Sequence, residues 1–474
     1  MRAEYESTEK TILSMHDGKE NKKSEMIIYH IFNGLDLIYS KFNTYNAPKS
    51  DEIPESEYIE INYCKRGVFE CISKSGKTLY LSEGEIASNI NMMQKITSNF
   101  INGYYEGIEI LIDIDEFQKN LPEINPCKPD KYIPIFEEKL KDFFSVKNAI
   151  AVANGTAAIH LSLAALNIKD GDEVLVPANA VIMSVIPILY QKAIPIFVDC
   201  QENNIDFDYD DLKRKVSNKT KAVIPVYLWG CSYNLDKLLD FAKEYNIEII
   251  EDACQAHGSK WNNKYLGTFG KFGCFSMKNG KILATGEGGF ILTDDDELAE
   301  RCRLLRNHCT NIRDTSKSFS EIGWNYRITE MQALLGIYNL RDLKDKINFR
   351  KNQTKYIYEQ IKNITGINIY NYYDNENSNY FSPIFLHDKG LDIAKKLNKN
   401  RVINSTGTFG LIPANERKVI QEYCKNLVSY DRMKTPNSHK LFSKIVALSL
   451  MENIDRDKMN EIISKINQIV KEEN

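Results

Sequence analysis

From residue 133 onward the chain alternates short, mainly apolar runs with amphipathic stretches, and few folds accommodate that alternation. Ala-Ile-Ala-Val-Ala (149–153) has strand length, and Ala157 to Leu166 follows it as an apolar-faced helix. Ile-Glu-Ile-Ile (247–250) is a second such run. Strands this apolar need helices over both faces, so the pattern predicts an α/β fold with a doubly wound, mostly parallel sheet. In open sheets of this kind ligand-facing residues gather at the carboxyl ends of strands. Asp252 falls at such an end.

Downstream of Asp252 and Gln255 come Ser276 and then Lys281, which runs into T-G-E-G-G. An acid, a hydroxyl and an amine in this order are what a protein needs to hold pyridoxal phosphate. A carboxylate at 252 can keep the pyridine nitrogen protonated and so make the ring an electron sink. Lys281 would form the Schiff base and then shuttle a proton, for which its amine must be desolvated and its pKa lowered. Ser276 would bind the phosphate. Upstream, Asn154-Gly155-Thr156 reads as a tight turn that opens a helix, where free N–H groups, the Thr156 hydroxyl and the helix dipole favour a phosphate. Taken singly, each residue has a plainer reading: a solvated turn lysine, a capping aspartate, an ordinary βα turn. Their order and spacing together carry the assignment.

These stretches resemble a known family. Residues 133–474 look like the DegT/StrS-type sugar aminotransferases, fold type I enzymes dependent on pyridoxal phosphate. The resemblance is carried by F-E-E-K-L (136–140), N-G-T-A-A (154–158), D-G-D-E-V-L-V-P-A (170–178) and I-P-I-F-V-D (194–199). It continues in I-I-E-D-A-C-Q-A-H-G (249–258), F-S-M-K-N-G-K-I-L-A-T-G-E-G-G (275–289), R-L-L-R-N-H (303–308) and W-N-Y-R-I-T-E-M-Q-A (324–333). By this resemblance Lys281 is the Schiff-base lysine, five residues after the phosphate serine Ser276, and Asp252 is the pyridinium partner. Gln255 matches the residue at the ring's 3-oxygen, and Thr156 and Ala157 match the phosphate turn. Asn325 matches a residue that reaches the phosphate of the neighbouring subunit, which implies a homodimer with shared active sites. The implied reaction moves an amino group from an amino acid, glutamate by expectation, to a nucleotide-linked keto sugar.

Four features depart from the family pattern. Val181 stands where an aromatic usually stacks on the cofactor, which forgoes about 1 kcal/mol of stacking. Tyr227 stands where a His is common, the glycine-containing loop expected ahead of F-E-E-K-L is missing, and R-V-I-N-S-T-G-T-F-G (401–410) lacks an H-Y segment. The alternative is a non-catalytic or regulatory protein that uses the bound cofactor, or its N-terminal module, as a sensor. A dehydratase using pyridoxamine phosphate is disfavoured, since those relatives replace the lysine with histidine.

Ahead of this region lies a different texture. Tyr58 to Cys71 and Ile108 to Ile114 alternate apolar and polar residues, and Gly67, Gly76, Gly84 and Gly103 punctuate them, as in a small β-rich, cupin-like module. I-E-I-N-Y-C-K-R-G-V-F-E-C (59–71), Y-L-S-E-G-E-I (80–86) and Y-Y-E-G-I-E-I-L-I-D (104–113) resemble the ligand-sensing domain of AraC-type regulators. A dimerisation or packing module without ligand is the competing reading. No His lies between 31 and 159, so no metal is expected. The expected organisation is a module over 1–121, a proline-rich linker over 122–134, a large cofactor domain over 135–363 and a small C-terminal α/β domain over 364–474.

The 474 residues exceed one ordinary domain, and 43% apolar content suffices for sizeable cores. A net charge of -4 gives no basic footprint for nucleic acid. The ten cysteines include no C-x-x-C pair and read as reduced thiols of a cytoplasmic protein. Met1 to Lys10 has no apolar signal core, and the run 181–198 is broken by Gln191, Lys192 and two prolines, so neither export nor a membrane span is expected.

Overall fold

The computed structural model describes residues 10–16, 23–32, 35–42, 58–73, 78–83, 86–89, 95–113, 131–311, 315–370, 377–449 and 454–473. The chain divides into two compact units, Met1–Pro129 and Asp130–Asn474.

The first unit is an antiparallel sheet. Its strands are β1 (Lys10–His16), β2 (Lys23–Phe32), β3 (Leu35–Phe42), β4 (Tyr58–Ser73), β5 (Thr78–Ser82), β6 (Ile86–Asn89) and β7 (Lys95–Asp113). They run in the order β1-β2-β3-β7-β4-β5, with β6 also paired to β4. The alternating isoleucines fall on β7, where Ile110 is in register with Leu37 of β3 and Ile61 of β4. The long β4–β7 ladder shifts register between Cys64 and Arg66 and again between Gly67 and Phe69, as at β-bulges. At the first interruption Lys65 Nζ donates to the buried Glu106 carboxylate at 2.5 Å.

The second unit is built on a seven-stranded sheet of β8 (Asn148–Val152), β9 (Glu173–Pro177), β10 (Ile194–Val198), β11 (Thr220–Val223), β12 (Glu248–Asp252), β15 (Phe272–Ser276) and β16 (Gly289–Thr293). A two-residue hairpin, β13 (Lys260–Trp261) and β14 (Lys264–Tyr265), lies between β12 and β15. The order is β10-β9-β11-β12-β15-β16-β8, and only β16 opposes its neighbours. Successive residues of one strand enter opposite cores. Ala149 and Ala151 of β8 pack with Phe136, Leu140 and Phe144 of the helix Tyr132–Phe144. Ile150 and Val152 pack with Ile159 and Leu163 of the helix Gly155–Ala165. Covering both faces in this way is what makes the strands apolar throughout.

A smaller antiparallel sheet of β17 (Asn368–Ile369), β18 (Ile384–Leu386) and β19 (Ile445–Ala447) has its own core. Phe385 and Val446 meet Ile357, Ile393 and Leu397 there. Near the end of the chain Ile462, Ile466, Ile469 and Val470 of the helix Arg456–Glu473 are buried in that core, and Ile463 packs at its margin.

The proline-rich stretch lies outside the described residues as far as 130. Beyond it the helix begins at Tyr132, so Ile133 and Pro134 belong to its first turn rather than to a linker. A proline is tolerated there because first-turn N–H groups have no partner within the helix.

Candidate active site

The site forms where the carboxyl ends of β12 and β15 meet the start of the helix Gly155–Ala165. Asp252 ends β12 and is buried. Its Oδ2 accepts a 2.5 Å hydrogen bond from the Ser184 hydroxyl, and its Oδ1 accepts from the Cys254 N–H at 3.1 Å. Two donors on its two oxygens fix the direction of the carboxylate. Its neighbour Glu251 points to the other side of the strand, where it accepts from Tyr227 Oη at 2.6 Å and from the N–H groups of Gly267, Phe269 and Gly270 at 2.7 Å. Burial raises the Glu251 pKa against those donors. Tyr227 is thereby a buried structural partner of Glu251.

Ser276 ends β15 in register with Gly289 of β16. The loop between them is closed by backbone bonds from Met277 to Gly288 and from Asn279 to Gly286, both 2.7 Å. Gly280 and Gly286 take φ of 91° and 84°, a left-handed backbone that glycine adopts freely, and this accounts for the glycines around the lysine. The loop presents Lys281. Burial of its amine lowers its pKa, and nearby Lys278 pushes the same way, while Cys254 and Asp252 oppose them. Its Nζ lies 5.1 Å from the centre of the Phe381 ring.

The turn before the helix Gly155–Ala165 packs directly on Ser276. Asn154 caps the helix by accepting from the Ala157 N–H at 2.8 Å. A Cβ at Gly155 would come within 2.8 Å of Ser276 Cβ and 2.7 Å of Cys254 Sγ, so only glycine lets the turn approach this closely. Thr156 and Ala157 thus begin a helix beside the Ser276 hydroxyl.

Gln255 is oriented by Trp229, whose N–H donates to Gln255 Oε1 at 2.7 Å and leaves the amide hydrogens as its open end. Trp229 holds φ at 57°, a strained backbone costing roughly 1–3 kcal/mol, and its indole donates to Ser405 Oγ at 2.8 Å. Val181 precedes the helix Ile182–Tyr190 and packs half-buried against the cluster containing Trp229 and Tyr380. Asn325 is exposed, bridged to Asn307. Its neighbour Tyr326 accepts from the Ala153 N–H at 2.8 Å, just ahead of the phosphate-type turn. His257, wholly buried against Phe275, has neither ring nitrogen in a well-formed hydrogen bond. Burial, then the adjacent Lys281, pushes its pKa down to about 3, against a weak opposing contact with the Ser276 backbone.

Asp252, Ser276, Lys281 and the 154–157 turn are therefore brought together, and Gln255 is held on the loop that follows Asp252. Ser184, Trp229 and Phe381 escaped the sequence reading. Ser184 had one signal, a hydroxyl within the otherwise apolar run Ile182 to Leu189. Among the described residues no group of three or more His, Cys, Asp or Glu is placed to hold a metal ion, and no helix is long and apolar enough to cross a membrane.

A sheet of this order, helix-covered on both faces and carrying a lysine on the loop between β15 and β16, is the large domain of the fold type I class. Within that class the chain belongs to the DegT/DnrJ/EryC1/StrS aminotransferase family, whose model matches residues 121–467. It is 39% identical over 236 residues to GDP-perosamine synthase of Escherichia coli O157:H7, covering 50% of this chain and 64% of the relative. It is 36% identical over 239 residues to EpsN of Bacillus subtilis, described as a putative pyridoxal phosphate-dependent aminotransferase, covering 49% of this chain and 60% of the relative. The chain thus spans about three fifths of the length of these two relatives. Its fold matches the crystal structure of a family aminotransferase from Brucella abortus with a TM-score of 0.64 at 24% identity, over 72% of this chain and 90% of the other.

Proposed function

We propose that this chain is a pyridoxal phosphate-dependent aminotransferase that moves an amino group from an amino acid, glutamate in our reading, to a keto sugar carried on a nucleotide. The observation that carries the proposal is the desolvated amine of Lys281, which interacts electrostatically with the buried Asp252 and stands on the loop that leaves the buried Ser276. Family membership and the names of the relatives support it.

The residues present fit the cofactor. Gly155 leaves room for the turn to close on Ser276, so the Thr156 hydroxyl, the first helical N–H groups and Ser276 could cradle a phosphate at the positive end of the helix dipole. Asp252, already held by Ser184 and Cys254, would accept the pyridine N–H. Gln255 would offer its amide hydrogens to the ring oxygen, and Val181 would pack on the ring without stacking. When bound, pyridoxal phosphate supplies the electron sink for the carbon whose C–N bond changes. The chain's own part is proton management. Burial lowers the Lys281 pKa so that the amine can take a proton from one carbon and deliver it to another, and Asp252 would face the ring nitrogen.

Asn325 would complete the phosphate site of a second copy, giving a homodimer. Its exposure supports this, as do Met331, Leu335 and Tyr338, which stand exposed along one face of the helix Glu330–Arg341. The unit Met1–Pro129 would act as an AraC-type sensing module.

Borohydride reduction of purified protein with bound cofactor, followed by peptide mapping, tests the core of the proposal. The adduct should lie on Lys281, and glutamate with a nucleotide-linked keto sugar should yield 2-oxoglutarate. An adduct on Lys278, or none after cofactor addition, defeats the assignment. A protein that carries the adduct but transaminates no nucleotide-linked keto sugar supports the sensor reading instead.

A further inference from the structure

The amine of Lys281 faces an aromatic ring that three contacts hold in place. The Phe381 N–H donates to Asn379 Oδ1 at 2.9 Å, and its carbonyl accepts from Arg350 Nη1 at 3.2 Å. The Arg350 guanidinium also lies 5.8 Å from the ring centre. Asn379 is fully buried, and its amide donates to the carbonyls of Gln255 at 2.9 Å and His257 at 3.1 Å. One side chain therefore ties Phe381 to the loop that follows Asp252. Phe381 and Val181 pack against the same apolar cluster, so the cluster that lacks an aromatic at 181 has one at 381.

We propose that Phe381 is a further catalytic residue of the aminotransferase reaction, its ring face holding the free Lys281 nitrogen as an ammonium and returning it to one position between proton transfers. The inference rests on the functional reading given above. A nitrogen that accepts a proton from carbon must keep it until delivery, and burial works against that. Of the titratable groups around the amine, Cys254 and Asp252 favour the ammonium, Lys278 also opposes it, and His257 stays neutral. The ring face adds attraction without a titrating group, at a centroid distance of 5.1 Å that lies within cation–π range.

The test is the pH dependence of reductive methylation of Lys281 in cofactor-free protein, read by peptide mapping. Phe381→Leu should move the midpoint down by roughly 0.5–1 pH unit, and Phe381→Tyr, which keeps the ring face, should restore it. An unmoved midpoint in a variant that melts at the wild-type temperature overturns the proposal. So does an upward shift, which would mean that the ring mainly excludes water. Should Phe381→Leu fail to fold, Phe381→Met is judged by the same criterion. Wild-type protein that never takes up pyridoxal phosphate on Lys281 sinks the functional reading, whereas an unmoved midpoint in a variant that still takes it up sinks the role of Phe381 alone.

Discussion

The Ser184 hydroxyl donates a 2.5 Å hydrogen bond to Oδ2 of Asp252 across 68 residues of chain. It fixes the direction of a buried carboxylate whose other oxygen is held by the Cys254 N–H. Ser184→Ala removes one donor and leaves that oxygen unsatisfied, a loss of about 1–2 kcal/mol. The half-reaction with an amino acid should therefore slow roughly 5- to 30-fold while cofactor stays bound. Asp252→Asn should retain cofactor and lose nearly all transamination, since an amide cannot hold the ring proton. Rapid-mixing absorbance of the half-reaction measures both, and wild-type rates in either variant refute the assigned roles.

A buried lysine with a lowered pKa makes the cofactor-free fold depend on pH. Between the folded pKa and the ordinary value of 10.5 the unfolded chain binds the extra proton, so stability rises with pH across that window. Lys281→Met should thus melt at a higher temperature than cofactor-free wild type at neutral pH, and the advantage should disappear as the pH approaches 10.5. Melting curves of the two proteins across that range decide it; a constant difference would mean that the lysine's charge is not the cause.

Acid should destabilise the fold through two buried histidines. Burial lowers the His160 pKa to about 4, and burial together with Lys281 lowers that of His257 to about 3, both from 6.5. The unfolded chain binds these protons first, so stability is lost as pH falls from about 6.5 toward 4. His160 sits between Tyr326 Oη at 3.1 Å and Gln191 Nε2 at 2.8 Å. His160→Gln should lose less stability than wild type between pH 7 and 5 in urea titrations. Equal losses would exclude His160 as a contributor.

Subunit exchange tests the shared site. If Asn325 reaches a neighbour's phosphate, mixing inactive Lys281→Ala with inactive Asn325→Ala chains gives a mixed dimer with one site carrying both defects and one carrying neither. Some activity should return. No recovery despite proven exchange would place Asn325 within its own chain or outside the site.

Separating the two units tests their independence. A chain beginning at Asp130 contains one of the compact units entire, together with every residue assigned to the cofactor. It should fold and take up pyridoxal phosphate, as read by absorbance and circular dichroism. Uptake with lost turnover would make the first unit part of the substrate pocket, and failure to fold would contradict the independence of the units.

Much of this molecule was legible in the residues alone. The two periodicities, runs of strand length and helices with an apolar face, are local properties of the chain, and they specified a helix-covered parallel sheet with Asp252 at a strand end. The nearness of the acid, the serine and the lysine was legible because short separations join the ends of two neighbouring strands and the loop that follows, and the glycines around Lys281 mark a backbone that other residues resist. What lay beyond the sequence depends on which distant elements pack side by side. Ser184 meets Asp252, Trp229 orients Gln255 and Phe381 faces Lys281 only because the helix Ile182–Tyr190, the turn after β11 and the segment before β18 converge on one sheet end. The residue types there, a hydroxyl, a backbone N–H and a ring, occur throughout any chain. Tertiary packing alone decides which of them become partners, since a hydrogen bond or a ring contact is selected by distances of a few ångströms that no spacing along the chain encodes.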